Sequence, residues 1–149
     1  MNEMLKDPNI IRQVIMDHYE YPRNHALFTE GHYHEKHMDS ESCIDDIKVQ
    51  MQIEDNIIKD VRFDGVACTI STASTSIMSE LLINKELEEA EAIIREYNKM
   101  LFADHYDEEL LESAIVFSNV SRQANRIKCA TLGWDAAQMI IDESRLEDE

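Results

Sequence analysis

Ile47-Lys48-Val49-Gln50-Met51-Gln52-Ile53, then Glu54-Asp55-Asn56, then Ile57-Ile58-Lys59-Asp60-Val61-Arg62-Phe63, is the stretch that decides the fold class. Ile47, Val49, Met51 and Ile53 alternate with polar residues, the period of a strand with one buried face. Asp55-Asn56 has the chemistry of a tight turn, because both residue types tolerate left-handed backbone. Ile57, Val61 and Phe63 are expected to point inward on the return strand, with Gly65 at its end or in a bulge. A hairpin is therefore expected here, and the rest of the chain must cover its apolar face.

Helical patterns lie on both sides of the hairpin. Asn9–Tyr19 carries Ile10, Ile11, Val14 and Ile15 at helical spacing, with Asp7 or Asn9 to cap it and Pro22 to stop it. From Ser71 to about Leu82, Ile70, Ala73, Ile77 and Leu81 share a face. Leu87–Leu101 and Glu108–Phe117 are two more amphipathic segments, the first opened by an acidic run, Glu86–Glu91, read as an exposed helix face. A last helix is expected from near Ala130, with the acidic tail Arg145–Glu149 fraying. The polar stretch Arg23–Ser42 holds His25, His32, His34 and His37. It reads as loop with at most one short strand, and its histidines as a solvated loop in preference to a second metal site. The expected fold class is α+β, a small antiparallel sheet packed against several helices, in one domain spanning residues 1–149.

Composition narrows the function classes. The chain has 149 residues, 14 Lys and Arg against 31 Asp and Glu, and a formal charge of −17. Such a chain repels phosphate backbones and anionic lipid, so neither nucleic acid nor membrane is an expected partner. No apolar run is long enough to span a bilayer and no secretory leader is evident, so a cytoplasmic location is expected. Three cysteines without an export signal argue against a disulphide framework.

Those cysteines carry the chemistry. Cys43 and Asp45 are two residues apart, which in extended backbone places both side chains on one side, in phase with the apolar face of Ile47, Val49 and Met51. Cys68 and Cys129 are each expected just before a helix, where the dipole favours a thiolate. Three thiolates and a carboxylate suit a tetrahedral metal, and Arg126 and Lys128 could offset the negative charge of such a site. Spacing alone leaves a second reading open, in which small thiols fill a core.

Three segments carry a resemblance. Val14-Ile15-Met16-Asp17-His18-Tyr19 with Pro22-Arg23-Asn24, Phe63-Asp64-Gly65-Val66-Ala67-Cys68-Thr69-Ile70-Ser71 with Ala73-Ser74, and Arg126-Ile127-Lys128-Cys129-Ala130-Thr131-Leu132 with Trp134 occur in order over most of the chain. Together they resemble the SufU/IscU (NifU N-terminal-like) family of iron–sulphur cluster assembly proteins. The long interval from Cys68 to Cys129, and Lys128 where IscU-like proteins have histidine, resemble the SufU branch.

The resemblance implies a SufE/NifU-like fold and a Zn2+ site formed by Cys43, Asp45, Cys68 and Cys129. It implies that Cys43 is the thiol that accepts persulphide sulphur from a cysteine desulphurase of the SufS type, for delivery to downstream iron–sulphur assembly machinery. That would make the chain a zinc-dependent sulphurtransferase. The alternatives are a scaffold holding iron or a [2Fe–2S] cluster on the same ligands, and a structural zinc domain. The sequence departs from the family at Cys43-Ile44-Asp45, where the middle residue is usually glycine, and at Ala67, also usually glycine. The Asp17-His18-Tyr19 and Arg23 group fits a packed helix end with local hydrogen bonds as well as it fits partner contact.

Overall fold

The structure is a computed structural model and describes residues 3–39 and 44–147. A short 3₁₀ turn, Met4–Lys6, leads into α1 (Pro8–Glu20), whose cap is Asp7: its Oδ1 accepts the Asn9 N–H at 2.8 Å. Three strands follow, β1 (His34–Asp39), β2 (Asp46–Glu54) and β3 (Ile57–Val66), in an antiparallel sheet ordered β1-β2-β3. Then come α2 (Thr69–Leu82), α3 (Leu87–Leu101), α4 (Glu108–Leu111), a 3₁₀ segment (Glu112–Arg122) and α5 (Ala124–Glu147). The expected α+β class is the observed one.

The hairpin forms as its residues dictate. Asp55 and Asn56 both adopt positive φ, 54° and 62°, the turn geometry whose twist matches the flanking strands. Ile47, Val49 and Met51 are buried on β2. On β3 the buried residues are Ile58, Val61 and Phe63, so Ile58 replaces the expected Ile57. The cause is a register shift between Gln52 and Ile53, where Gln52 pairs with Asp60 but Ile53 pairs with Ile58. The extra residue inverts the parity of the strand before Asp60. The polar stretch before the hairpin does contain a strand. β1 pairs with β2 from His34 opposite Met51 to Asp39 opposite Asp46, so His34 and His37 are not in a loop.

α2, α3 and their neighbours close over the sheet. α2 is buried almost all round from Ser71 to Ser79 and lies between α1, α5 and β3. Glu86 and Glu89 form a capping box at the start of α3, so part of the acidic run has a structural duty. The segment expected as helix over Glu108–Phe117 is one α turn and then 3₁₀. Leu111, Ala114, Phe117 and Val120 are all buried and recur every third residue, the period at which a 3₁₀ helix, not an α-helix, keeps one face inward. Glu112, at positive φ, marks the change of helix type.

α5 departs most from expectation. It begins at Ala124, not Ala130, and continues through the acidic tail to Glu147. Ser144 is buried and Arg145 pairs with Glu91 of α3, so the last turn is tied down.

α5 crosses α2 closely at Gly133. A Cβ there would lie 2.4 Å from Thr75 Oγ1 and 2.9 Å from its Cγ2. Thr75 cannot easily turn away, because its hydroxyl donates to the Ser71 carbonyl at 2.8 Å. Gly133→Ala gains about 1 kcal/mol of helix propensity, but the overpacking costs about 1–3 kcal/mol. We expect a net loss of stability, relieved by adding Thr75→Ala. Chemical denaturation of the two variants measures both, and a stabilised single variant would refute the close contact.

The α1 end is also a packed one. His18 is buried, with Nδ1 2.7 Å from Ser76 Oγ of α2, while the Arg23 N–H donates to the same hydroxyl at 2.9 Å. A neutral ring with Nδ1 unprotonated can accept the serine O–H here while the hydroxyl oxygen accepts the Arg23 N–H. Burial lowers the His18 pKa from its ordinary 6.5, and Arg23 lowers it further against weaker opposing effects of Glu80 and Asp17. Glu80 lies 3.7 Å from Nε2 but is half exposed, so burial outweighs it and the pair is not an ion pair at neutral pH. The unfolded chain therefore takes up this proton first. The His18 contribution is complete above about pH 6.5 and is lost as pH falls toward the depressed folded value. Thermal unfolding of His18→Gln should show a shallower loss of stability on acidification than wild type below about pH 6.5; identical slopes would contradict it.

Candidate metal centre

Three of the four expected ligands come together. One ligand atom each from Asp45, Cys68 and Cys129 lies within 4.8 Å of the other two. Cys43 falls outside the described residues. The three come from separate parts of the chain: Asp45 just before β2, Cys68 between β3 and α2, and Cys129 on α5.

Asp45 is 2% exposed. Its Oδ1 accepts the backbone N–H of Cys68 at 2.7 Å, and its Oδ2 is 3.8 Å from Cys68 Sγ. The β2–β3 ladder fixes this meeting, because Asp46 pairs with Val66 and Ile47 with Gly65. Gly65 has φ of +136°, and a Cβ on it would fall 2.2 Å from the Asp46 carbonyl oxygen. Only glycine allows the strands to approach here, one residue from Asp45 on β2 and three from Cys68 on β3.

Cys68 is the N-cap of α2, and its sulphur accepts the Ser71 N–H at 3.4 Å. The helix N-terminus and this bond both favour negative charge on the sulphur. The expectation for Cys129 needs correction. α5 starts five residues before it, so Cys129 sits in the second turn, where its own N–H is spent within the helix and the dipole effect of the first turn has faded.

What fixes Cys129 instead is a buried polar knot next to it. The Ala130 carbonyl accepts from Ser74 Oγ at 2.6 Å and from the Tyr97 hydroxyl at 2.8 Å. Trp134 Nε1 donates to Ser74 Oγ at 2.9 Å, and its indole stacks on Tyr97 with centroids 3.7 Å apart. Burial pushes the Tyr97 phenol well above its usual range, so it stays a donor. Sequence reading marked Ser74 and Trp134 as motif residues but missed Tyr97, whose signal is only an aromatic in phase with Ile93, Ile94 and Met100 on α3.

Arg126 and Lys128 are both exposed on the first turns of α5. Among the described residues neither makes an ion pair, so the proximity of Arg126 to the centre is the helical spacing of one turn before Cys129.

The donor set fits a zinc-type ion. Two soft sulphurs and a carboxylate suit tetrahedral coordination, in which zinc–sulphur bonds of about 2.3 Å and zinc–oxygen bonds of about 2.0–2.2 Å place neighbouring ligand atoms somewhat under 4 Å apart. The 3.8 Å between Cys68 Sγ and Asp45 Oδ2 meets that requirement.

Asp45 is also structural in its own right. Asp45→Ala leaves the Cys68 N–H without its acceptor, which costs about 1–3 kcal/mol. We expect Asp45→Ala to be destabilised by that amount in metal-free protein, and Asp45→Asn, which keeps an oxygen acceptor, by less. Denaturation in the presence of chelator separates the two; equal stability of Asp45→Ala and wild type would refute the structural role.

The chain is similar to known proteins over most of its length. The NifU-like N-terminal domain family model matches residues 10–146. The chain is 35% identical over 130 residues to the zinc-dependent sulfurtransferase SufU of Bacillus subtilis, covering 87% of each. It is 37% identical over 93 residues to the iron–sulfur cluster assembly scaffold protein IscU of Thermotoga maritima, covering 62% of this chain and 66% of that one. Among solved structures, a SUF-system assembly scaffold protein from Fervidobacterium islandicum superposes with a TM-score of 0.82 at 27% identity, over 95% of this chain and 99% of that one. The extent of the family match, with a relative 35% identical over 87% of the chain, establishes that the chain belongs to the NifU-like N-terminal domain family of iron–sulphur cluster assembly proteins.

Proposed function

We propose that this chain is a zinc-dependent sulphur acceptor, one assembly domain over its whole length, acting in the cytoplasm beside a cysteine desulphurase. The observation that carries the reading is the convergence of Asp45, Cys68 and Cys129 within 4.8 Å from three separate segments. Cys43 completes the set as fourth ligand and as the reacting thiol. It is two residues from Asp45, so chain connectivity alone keeps the two Cα atoms within about 7 Å. The SufU reading is favoured over the scaffold reading by Lys128 before Cys129 and by the α3–α4 insertion between Cys68 and Cys129.

Zinc, when bound, keeps its thiolate ligands deprotonated and brings no redox chemistry of its own. The chain's residues do the rest. Asp45 and Cys68 are held by each other and by the α2 N-terminus, and Cys129 by the Ala130 knot, so these three remain in place. Cys43 is then the thiol that reacts. Its thiolate attacks the outer sulphur of the desulphurase persulphide. A sulphur–sulphur bond forms at Cys43 as the persulphide bond breaks, and the partner's cysteine leaves as a thiolate. The proton on the transferred sulphur travels with it, so no oxidant or reductant is needed.

Two exposed apolar side chains support a docking face at the site. Ile44 is 68% and Val66 65% exposed, and each is within two residues of a ligand. Large apolar groups left in water beside a reactive centre suit a partner that covers them.

Cys43→Ser should abolish stimulation of desulphurase turnover and the gain of one sulphur in the mass of the chain, since an alcohol is a poor persulphide acceptor at neutral pH. Sulphide release with the variant in excess, together with intact mass spectrometry, measures this. Full stimulation by Cys43→Ser would overturn the acceptor assignment. Cys68→Ser and Cys129→Ser should lose bound zinc and thermal stability together.

A further inference from the structure

We propose that His32, His34 and Glu147 form a second site for a divalent transition-metal ion, separate from the cysteine centre. One ligand atom from each lies within 4.8 Å of the other two. The two imidazoles meet edge to face with centroids 5.2 Å apart, and His34 Nε2 is 3.7 Å from a Glu147 carboxylate oxygen.

The seam between β1 and α5 holds these groups together. Burial on β1 alternates, so His34, Lys36 and Met38 are its sheltered residues, and α5 packs on this strand. Lys36 pairs with Glu143, which is one helical turn before Glu147 and on the same face. A step of two on the strand therefore matches a step of four on the helix. The Lys36–Glu143 pair fixes the register that brings His34 to Glu147. The His34 side chain is only 10% exposed, and His32 precedes it by two residues, the spacing that keeps both rings on one side. His37, of opposite parity, faces away and pairs with Asp46.

Two neutral imidazoles and one carboxylate select zinc, copper or nickel over magnesium or calcium, which prefer oxygen. Three protein ligands leave a coordination position for water or another donor. The strongly negative chain raises the local concentration of any cation.

The site lies far from Cys129 and from the start of β2. Cys129 and Glu147 are 18 residues apart on α5, roughly 27 Å along a helix. His34 is paired with Met51, five residues along β2 from Asp46, roughly 17 Å. Occupancy would fasten the last turn of α5 to the edge strand β1, closing a loop of over a hundred residues at the open side of the sheet.

The test uses untagged full-length protein, stripped of metal and titrated with Co2+ under reducing conditions. Wild type should bind two equivalents: one develops the sulphur-to-cobalt charge-transfer absorption of thiolate ligation, and the other adds only ligand-field bands. His32→Ala/His34→Ala should lose the second equivalent and keep the charge-transfer absorption unchanged. Glu147→Gln, at an exposed position that does not threaten folding, should weaken the second equivalent in the same way. A single equivalent in wild type that carries the thiolate charge-transfer absorption, or binding in either variant at the wild-type affinity of the ligand-field equivalent, would overturn the site. Absence of the thiolate band would count against the cysteine centre, and this site would still be read from the ligand-field bands alone.

Discussion

The hydrogen bond from the Cys68 N–H to the buried Asp45 carboxylate is the interaction on which the site depends. It links the start of β2 to the start of α2 across 23 residues. A carboxylate so nearly sealed from water must be compensated by fixed donors. The backbone N–H at the mouth of α2 is one such donor, and it carries the positive end of the helix with it. The contact sets where β2 begins and where α2 is capped. It also places two candidate ligand atoms, Asp45 Oδ2 and Cys68 Sγ, side by side. Gly65 makes the contact possible by letting the strands come within a distance that no side chain would permit.

The third candidate ligand depends on a different constraint. Cys129 reaches the centre because α5 lies close on α2, and that closeness rests on Gly133 against Thr75 and on the Ser74–Tyr97–Trp134 knot. The knot draws on α2, α3 and α5 at once. Its two aromatic rings are fully buried, and every polar atom it uses is paired, so the position of Ala130, and with it Cys129, is over-determined. The helical material between Cys68 and Cys129 thus has a role at the centre, since α3 supplies Tyr97.

Much of this was legible in the chain. The alternation from Ile47 to Ile53 and the Asp55-Asn56 turn gave the hairpin, and helical spacing gave α1, α2 and α3 nearly to the residue. The misreadings have local physical causes. A bulge at Gln52–Ile53 reversed the parity of β3 before Asp60, which a strict period of two cannot anticipate. The amphipathic pattern over Glu108–Phe117 suggests one helix, whereas the buried residues from Leu111 to Val120 recur at the period of a 3₁₀ helix. α5 starts six residues before the expected Ala130. Its first turn is exposed, so no apolar stripe marks its start. The ligands themselves carried no CxxC spacing, and the motif context alone pointed to them. Asp45, Cys68 and Cys129 meet through strand register and helix crossing, which are tertiary facts.

The consequence of building the centre this way is a division of labour among its groups. A ligand that is also a capping residue or a buried acceptor cannot leave without disturbing the fold. Asp45 holds a backbone N–H, Cys68 caps α2, and Cys129 is locked into a helix next to a saturated carbonyl. Each therefore resists displacement by an amount set by packing and hydrogen bonding as well as by coordination. A thiol meant to exchange sulphur with a partner must escape that coupling, because reaction requires the sulphur to be reached by a second protein and to change its bonding. On the proposed function, three anchored groups would hold the cation while Cys43 reacts. Ile44 and Val66, the exposed apolar residues within two positions of Asp45 and Cys68, lie beside these anchored groups, where the proposed partner surface would begin.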